Sequence, residues 1–205
     1  MSMSSDKIYP VLQTCLAQVG ASHEWLVRRV LPLSLDQLRW RLRSMCWSIT
    51  KCLDHLNRTF HYYLPDRRRI DEGSNMKYQK CAPAFEEPEK SFLRQMEPSI
   101  LVAMSAPAVL WPASAFDPDQ IVDQFPYLWR RFANAVQPLS GMAVMNVSIP
   151  DSIYPPVQSL GGVIALLAAH ERRHLWQAQQ VLSASDFPAY LGNRLAPDDC
   201  RGSRT

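Results

Sequence analysis

The sequence predicts an all-α domain. Four segments place apolar side chains at the three- and four-residue spacing of amphipathic helices, and none has the alternation of a convincing strand pair. The 205 residues are a length typical of one domain, and 47% are hydrophobic against 20% charged, which is enough apolar material for a buried core. We therefore expect one helical domain over residues 1–185, followed by a loosely held tail over residues 186–205.

The first long helix is expected from about Tyr9 to Leu31. Pro32 ends it, because the residue before a proline avoids the helical conformation. A short helical turn is expected to follow over residues 34–38. The apolar stripe of the first helix consists of Leu12, Leu16, Val19, Leu26 and Val30. This spacing predicts that one side of the helix is buried.

The second long helix is expected to begin after Ser48, a favourable N-cap, and to continue to about Asp71, with Pro65 kinking or ending it. Its apolar stripe consists of Ile49, Leu53, Leu56, Phe60 and Tyr63. His55 lies on a neighbouring stripe whose side chains are small or polar apart from one tyrosine, namely Ser48, Cys52, Thr59 and Tyr62. A face of this kind favours a pocket over a tightly packed core.

Residues 73–117 differ from the rest, because proline recurs and no helical period is sustained. A loop this long inside a compact domain is uncommon and is often functional. We expect a long proline-rich crossover between the second and third long helices that packs over one end of the molecule, with residues 100–111 buried. The third long helix then opens with Asp117 as N-cap and Pro118 at its first position, and Pro126 kinks or divides it.

The fourth long helix is expected from about Ser159 to Leu182. It carries two of the five histidines of the chain, on an apolar stripe that consists of Val163, Leu167, His170, His174, Gln177 and Val181. Residues four apart leave a helix from the same face, so both imidazoles are expected to point into the interior. This spacing suits two nitrogens that bind one metal ion, and Gln177 is expected to line the same pocket.

Composition excludes several classes of partner. The net charge of +3 comes without a basic stripe interleaved with aromatic residues, so no nucleic acid is expected. The longest apolar stretch, residues 100–112, is too short to span a membrane, and the N-terminus lacks the apolar core of a secretion signal. We expect a cytoplasmic protein whose five cysteines are reduced thiols.

The string from His170 to His174 also matches HExxH, the zinc-protease signature, in which Glu171 would be the general base. A catalytic zinc site needs a third protein ligand and an open position. No histidine follows His174, and the later carboxylates lie in or near the tail, so a protease is the least favoured alternative. Glu171 should point about 100° away from His170, which favours a supporting or surface salt-bridge role. It is nevertheless the one catalytic candidate.

Other sources of a third ligand lie upstream. His55 on the second long helix can face the pair, as inward side chains of facing helices commonly do in metal sites. Cys52 lies three residues before His55 and is an alternative ligand, which would close a structural zinc site, or a pocket-lining residue. His23 falls on the stripe of the first helix. Without a metal, the same histidines would be hydrogen-bonded core residues.

Two motifs resemble those of the DinB-like superfamily, which includes the YfiT-like metal-dependent hydrolases. Residues 47–57, WSITKCLDHLN, resemble its WSI-x-E-x-L-x-HL segment, with Lys51 where glutamate is often found. Residues 168–178, AAHERRHLWQA, are similar to its C-terminal AHERRHLWQA segment. Residues 106–112 resemble its proline-bearing crossover. The resemblance covers about residues 8–183.

The resemblance implies a four-helix bundle of the DinB-like type with a divalent metal ion, zinc or nickel, held between helices. By position, its ligands are His55, His170 and His174. The resemblance further implies a homodimer and a metal-dependent hydrolase, or a transferase that uses a low-molecular-weight thiol, acting on a small-molecule substrate. The arginines considered for clamping the anionic part of a thiol are Arg130, Arg131 and Arg173. The alternative is a non-catalytic bundle that binds or sequesters a small molecule.

Overall fold

The computed structural model describes residues 10–64, 85, 87–98, 105–139, 144 and 153–189. These residues form six α-helices, which are α1 (Pro10–Arg29), α2 (Leu35–Arg39), α3 (Ile49–Tyr63), α4 (Glu89–Met96), α5 (Pro118–Val136) and α6 (Leu160–Leu182). Short 3₁₀ turns occur at Ala108–Leu110 and Gln137–Leu139. The prediction of an all-α fold is confirmed for these residues, which include no extended strand. The four predicted long helices correspond to α1, α3, α5 and α6.

Three of the long helices begin at capping side chains, and two of these caps, Ser48 and Asp117, are predicted from the sequence. The hydroxyl of Ser48 accepts a hydrogen bond from the Lys51 N–H at 3.3 Å, and that of Ser159 accepts one from the Gly162 N–H at 2.8 Å. The Asp117 carboxylate caps α5 in the same way. These bonds satisfy N–H groups that the first turn of a helix leaves without a partner, so they determine where α3, α5 and α6 begin.

Each of the four long helices packs mainly against two of the others. Helix α3 lies against α5 and α6, and α1 lies against the same two helices. Large, fully buried side chains fill the space between them, among them Phe60, Phe125, Leu128 and Trp129. Burial of this apolar surface is the main favourable contribution to folding. The packing also makes α3 and α6, the helices that carry His55 and the His170–His174 pair, direct neighbours.

The crossover between α3 and α5 contains a helix that the sequence pattern does not reveal. Helix α4 packs against α6 and buries Leu93 and Met96. The prediction that no helical period is sustained over residues 73–117 is therefore wrong for this stretch. An eight-residue helix makes only about two turns, so its period is too short to stand out from the surrounding loop.

The later part of the crossover is only partly buried. Leu110 is buried, whereas Val109 and Trp111 are 60% and 50% exposed. The prediction of burial over residues 100–111 is wrong for these two side chains, and residues 100–104 lie outside the described part of the chain. The exposed indole of Trp111 lines a cleft.

Pro65 and Pro126 are each predicted to interrupt a helix, and the two outcomes differ. Helix α3 ends at Tyr63, before Pro65, and the predicted continuation to Asp71 lies outside the described residues. Helix α5 runs through Pro126 without a break, so this proline does not divide it in two. The proline ring lacks an N–H, but its fixed φ is compatible with a helix when neighbouring contacts hold the helix together.

The beginning of the C-terminal tail is held against α2. The side-chain amide of Gln37 donates a hydrogen bond to the Pro188 carbonyl at 2.9 Å, and the ring of Phe187 meets Trp40 edge-on at 5.5 Å. The prediction of a loosely held tail from residue 186 is therefore wrong for its first residues. Residues 190–205 lie outside the described part of the chain.

Removing either N-cap of the two histidine-bearing helices is expected to destabilise the protein. Ser48→Ala and Ser159→Ala should each lower the free energy of unfolding by about 1 kcal/mol, because each leaves an N–H of the first turn without its side-chain acceptor. Denaturant unfolding measures this change. Ser185→Ala, at an exposed position beyond α6, is the control and should change it by less than about 0.5 kcal/mol. Equal losses in all three variants would contradict the capping role.

Candidate metal centre

Three histidines from two helices meet in the interior. His55 lies in the middle of α3, and His170 and His174 lie one turn apart on α6. Their exposed fractions are 1%, 3% and 6%. Because α3 and α6 are neighbours, the polar stripe of α3 faces the apolar stripe of α6 at this level.

The three Nε2 atoms lie together. The Nε2 atom of His170 is 2.9 Å from that of His55 and 2.9 Å from that of His174. Ring nitrogens of all three residues lie within 4.8 Å of one another, which is the separation expected of ligands to one ion. The ring planes are inclined by 71° to 90°, so the rings approach edge-on and point their nitrogens at a common centre.

Hydrogen bonds on the far side of two rings determine where their protons lie. Nδ1 of His55 is 2.7 Å from the Leu110 carbonyl oxygen, and Nδ1 of His174 is 2.8 Å from Oε1 of Gln177. Both oxygens can only accept, so both Nδ1 atoms carry the proton. Both Nε2 atoms therefore present a lone pair to the cluster.

The third ring cannot satisfy both of these lone pairs. A proton on Nε2 of His170 can be donated to only one of them, and a proton on its Nδ1 leaves three lone pairs facing one another. Nδ1 of His170 is itself buried and has no hydrogen-bond partner among the described residues. A cation between the Nε2 atoms accepts all three lone pairs. The donor set therefore fits a metal ion of the kind that imidazole binds.

Burial keeps the three imidazoles neutral. Loss of hydration lowers the pKa of His55 and places the pKa values of His170 and His174 well below 6.5. The positive charge of Arg173 lowers the pKa values of His170 and His174 further. A metal binds the neutral form of imidazole, so the cluster is in its metal-binding form at neutral pH.

A cleft of about 430 Å³ opens beside the cluster, and all three histidines contribute to its wall. Trp47 stacks on His174 with ring centroids 5.5 Å apart and planes inclined by 21°. It also meets Trp111 edge-on at 5.7 Å. The cluster is therefore covered by aromatic rings on one side and faces a space large enough for a small molecule.

Two of the five residues predicted to line a pocket, Cys52 and Gln177, lie on the wall of this cleft. Burial raises the pKa of the Cys52 thiol to about 12, which disfavours a thiolate. Its sulfur is not part of the cluster that the three histidines form. His23, the other alternative ligand, is exposed on α1 and does not reach the interior.

The other three predicted lining residues, Ser48, Thr59 and Tyr62, are not on this wall. Ser48 is used as the N-cap of α3, and the Thr59 hydroxyl donates to the His55 carbonyl within the helix at 2.8 Å. Tyr62 packs edge-on against the next tyrosine along the helix. The polar stripe is longer than the cleft, so only its part near His55 can line it.

Sequence reasoning missed Trp47 and Trp111, two of the three tryptophans that line the cleft. Trp47 immediately precedes an N-cap and Trp111 lies in the crossover, and neither position has a periodic pattern that would assign its side chain to the site. Of the arginines considered, Arg173 lies on the cleft wall, whereas Arg130 and Arg131 are exposed on α5.

Residues 105–113, which we name the strap, are bound to α3 at two points beside the cluster. The Leu110 carbonyl accepts a hydrogen bond from His55, and the Ala113 N–H donates one to the Asp54 carboxylate at 2.7 Å. These bonds hold Trp111 at the cleft. They also orient the His55 ring, since a hydrogen bond at one imidazole nitrogen fixes the direction of the other.

The sequence profile of the DinB superfamily matches residues 18–178. The chain belongs to the DinB superfamily. The match includes His55, His170 and His174, and it confirms the resemblance suggested by the two motifs. Comparison with curated proteins and with solved structures gives no match. None of the helices in the described part of the chain is long and apolar enough to cross a membrane.

In this DinB protein, the glutamate of the HExxH string faces away from the histidines. Glu171 is fully buried, and its carboxylate accepts hydrogen bonds from Trp129 of α5 and Gln18 of α1. The alternative of a surface salt bridge is therefore wrong, because neighbouring helices cover this side of α6. Glu171 does not line the cleft, which argues against the general-base role of a zinc protease.

A polar network continues from Glu171 to the surface. Gln18 also donates to the Ala168 carbonyl at 2.8 Å and accepts a hydrogen bond from Arg172, which pairs with Glu97 at the end of α4. Loss of hydration raises the pKa of Glu171 well above 4.5, although hydrogen bonds from Ser22 and Gln18 oppose that shift. The network links α1 to α6 and α6 to the crossover.

The buried carboxyl of Glu171 should make stability depend on pH. Between pH 4.5 and its raised pKa, the folded state binds more protons than the unfolded state, so the unfolding free energy falls as pH rises. In Glu171→Gln this contribution is absent. The stability of the wild type relative to the variant should therefore fall as pH rises through this window, by about 1.4 kcal/mol for each unit of pKa elevation.

Denaturant unfolding of chelator-treated protein across pH 4–8 measures this difference. The lowered pKa values of the three histidines make the unfolding free energy rise with pH, which is the opposite trend. Both proteins contain these histidines, so their contribution cancels when the two unfolding free energies are subtracted. Glu24→Gln, at an exposed residue of α1, is the control for the loss of a surface carboxylate. A flat difference for Glu171→Gln would contradict the raised pKa.

Proposed function

We propose that this DinB protein is a metal-dependent enzyme whose divalent ion is held by His55, His170 and His174. The observation that carries the proposal is the meeting of three neutral Nε2 atoms at the wall of a cleft. Three protein ligands leave a further coordination position for water or substrate, as in catalytic rather than closed structural sites. Zinc and nickel are the ions that we propose.

The residues around the ligands support this role. The Leu110 carbonyl and the Gln177 side chain accept hydrogen bonds from two ligand rings and so orient them toward the ion. Trp47 packs on His174 and on His55, which excludes water from that side of the site. A divalent ion at this position supplies Lewis acidity and lowers the pKa of an adjacent water or thiol.

Two reaction classes use a nucleophile produced in this way. One is hydrolysis, and the other is transfer of a low-molecular-weight thiol to a small-molecule substrate. The cleft of about 430 Å³ is within the usual size range of small-molecule sites. We also propose that α1, α3, α5 and α6 form the four-helix bundle of the superfamily. The homodimer and the cytoplasmic location stay predictions.

A non-catalytic binding protein is the second candidate function. The aromatic wall formed by Trp47 and Trp111 favours it, because such a wall binds apolar molecules without any metal. In that case the three histidines would be core residues, and the cleft alone would sequester the ligand. Metal content separates the two candidates.

Purified protein loaded with zinc and then desalted should retain about one metal ion per chain, as expected of three imidazole ligands. His170→Ala should lose nearly all of it, because His170 lies between the other two ligands. Elemental analysis measures the metal. Zinc should also raise the melting temperature of the wild type and leave that of the variant unchanged.

His61→Ala is the matched control. His61 is exposed near the end of α3 and is not part of the cluster, so this variant should bind as much zinc as the wild type. Full zinc occupancy in His170→Ala would reject the ligand assignment. A wild-type protein that retains neither zinc nor nickel would reject the enzyme proposal in favour of sequestration.

The proposal of an open site also predicts the outcome of cobalt substitution. Cobalt-loaded wild type should lack a strong thiolate charge-transfer band, and Cys52→Ser should leave both its spectrum and its metal content unchanged. The physical reason is that the Cys52 thiol is buried and protonated outside the cluster. A strong band that disappears in Cys52→Ser would instead indicate a closed structural site.

A further inference from the structure

The wall of the cleft is mainly aromatic and apolar. Trp47 and Trp111 form one part of it, and Trp176 of α6 and Met96 of α4 also line it. Met96 is buried, whereas both Trp111 and Trp176 are more than one-third exposed although they border the cleft. Aromatic rings with exposed faces favour an apolar body, either aromatic or alkyl, over a sugar or another strongly hydrated molecule.

The same wall also carries positive charge, from Arg173. Among the described residues that line the cleft, Arg173 is the one that carries a formal charge, and no carboxylate is present there. Its guanidinium donates a hydrogen bond from Nη1 to the Gln95 carbonyl at 2.8 Å, which holds it between α6 and the end of α4. The planar guanidinium fork matches the geometry of a carboxylate.

The position of this arginine relates it to the histidine cluster. Arg173 lies between the two cluster residues of α6 in sequence, and it lines the same cleft as all three histidines. A molecule that contacts both the aromatic wall and the guanidinium therefore occupies the cleft that the three imidazoles border. The cleft combines an apolar surface, one positive charge and the candidate metal centre.

We infer that the cleft binds an apolar molecule that carries one carboxylate, with the apolar body against Trp47 and Trp111 and the carboxylate paired with Arg173. The inference rests on the proposed function in one respect, since the reacting atom of such a molecule would lie at the open position beside the histidines. Recognition by Arg173 and the tryptophans is independent of any metal. The substrate class is thus an aryl or alkyl carboxylic acid.

Two probes of the same shape test the inference. 1-Naphthaleneacetate carries the carboxylate, and 1-naphthaleneacetamide replaces it with a neutral amide. Quenching of tryptophan fluorescence measures the binding of each to zinc-loaded protein, because three tryptophans line the cleft. The acid should bind about fivefold more tightly than the amide, the size expected of a partly exposed charge pair.

Three arginine variants and one tryptophan variant locate the source of this preference. Arg173→Gln should remove the preference for the acid, and Arg173→Lys should retain part of it. Arg130→Gln, which removes the same charge from the exposed surface of α5, should leave the preference intact. Trp111→Ala should weaken the binding of the acid and of the amide by the same factor, because it removes apolar contact only.

Several outcomes would overturn the inference. The first is that both probes bind the wild type equally well. The second is that the preference for the acid is unchanged in Arg173→Gln, or that Arg130→Gln reduces it as much as Arg173→Gln does. The third is that Trp111→Ala binds both probes as tightly as the wild type. A preference that disappears in His170→Ala but persists in Arg173→Gln would also overturn it, because the carboxylate would then be binding the zinc.

The same experiment separates this inference from the proposed function. If the protein retains no zinc or nickel but still prefers the acid in a manner that depends on Arg173, the enzyme proposal fails and the inference stands. If zinc is bound through His170 and the probes bind without a preference, the inference fails and the metal centre stands.

Discussion

Three imidazoles buried side by side between two helices impose one constraint on this protein. The Leu110 carbonyl and the Gln177 side chain accept hydrogen bonds from the Nδ1–H groups of His55 and His174, so both of these rings present an Nε2 lone pair to the cluster. Hydrogen bonds within the cluster therefore cannot satisfy all three Nε2 atoms. Such an arrangement costs free energy in a dry interior unless a cation binds there. The adjacency of α3 and α6, the path of the strap and the cover provided by Trp47 all serve to maintain this one arrangement.

Helix α6 connects the cluster to the rest of the fold because it is buried on nearly every side. One face carries His170 and His174 toward α3, and another carries Glu171 toward α1 and α5. The histidines and Glu171 thus leave α6 in different directions, and each finds its partners on different neighbouring helices. The position of α6, and with it the separation of the histidines from His55, therefore depends on packing with all the other long helices. Because buried residues lie on several faces of α6, this helix lacks a broad polar face.

Local features of the sequence were sufficient for the main elements and for the histidines. Side-chain caps and the three- and four-residue period located α1, α3, α5 and α6, and the one-turn spacing placed His170 and His174 on one face. The same reasoning failed for α4, whose two turns are too short for a period to emerge, and for Thr59 and Tyr62, which share the stripe of His55 but lie beyond the cleft.

Helix starts, buried stripes and the pairing of His170 with His174 follow from the sequence, because they depend on neighbours within a few residues of one another. Tertiary packing was needed to bring His55 across 115 residues to His170, to place Trp111 and Arg173 on one wall, and to cover Glu171 with α1 and α5. The HExxH string cannot reveal whether its glutamate is buried, because that depends on which helices cover each face of α6. Contacts between distant segments depend on how whole helices pack, and no local period encodes that packing.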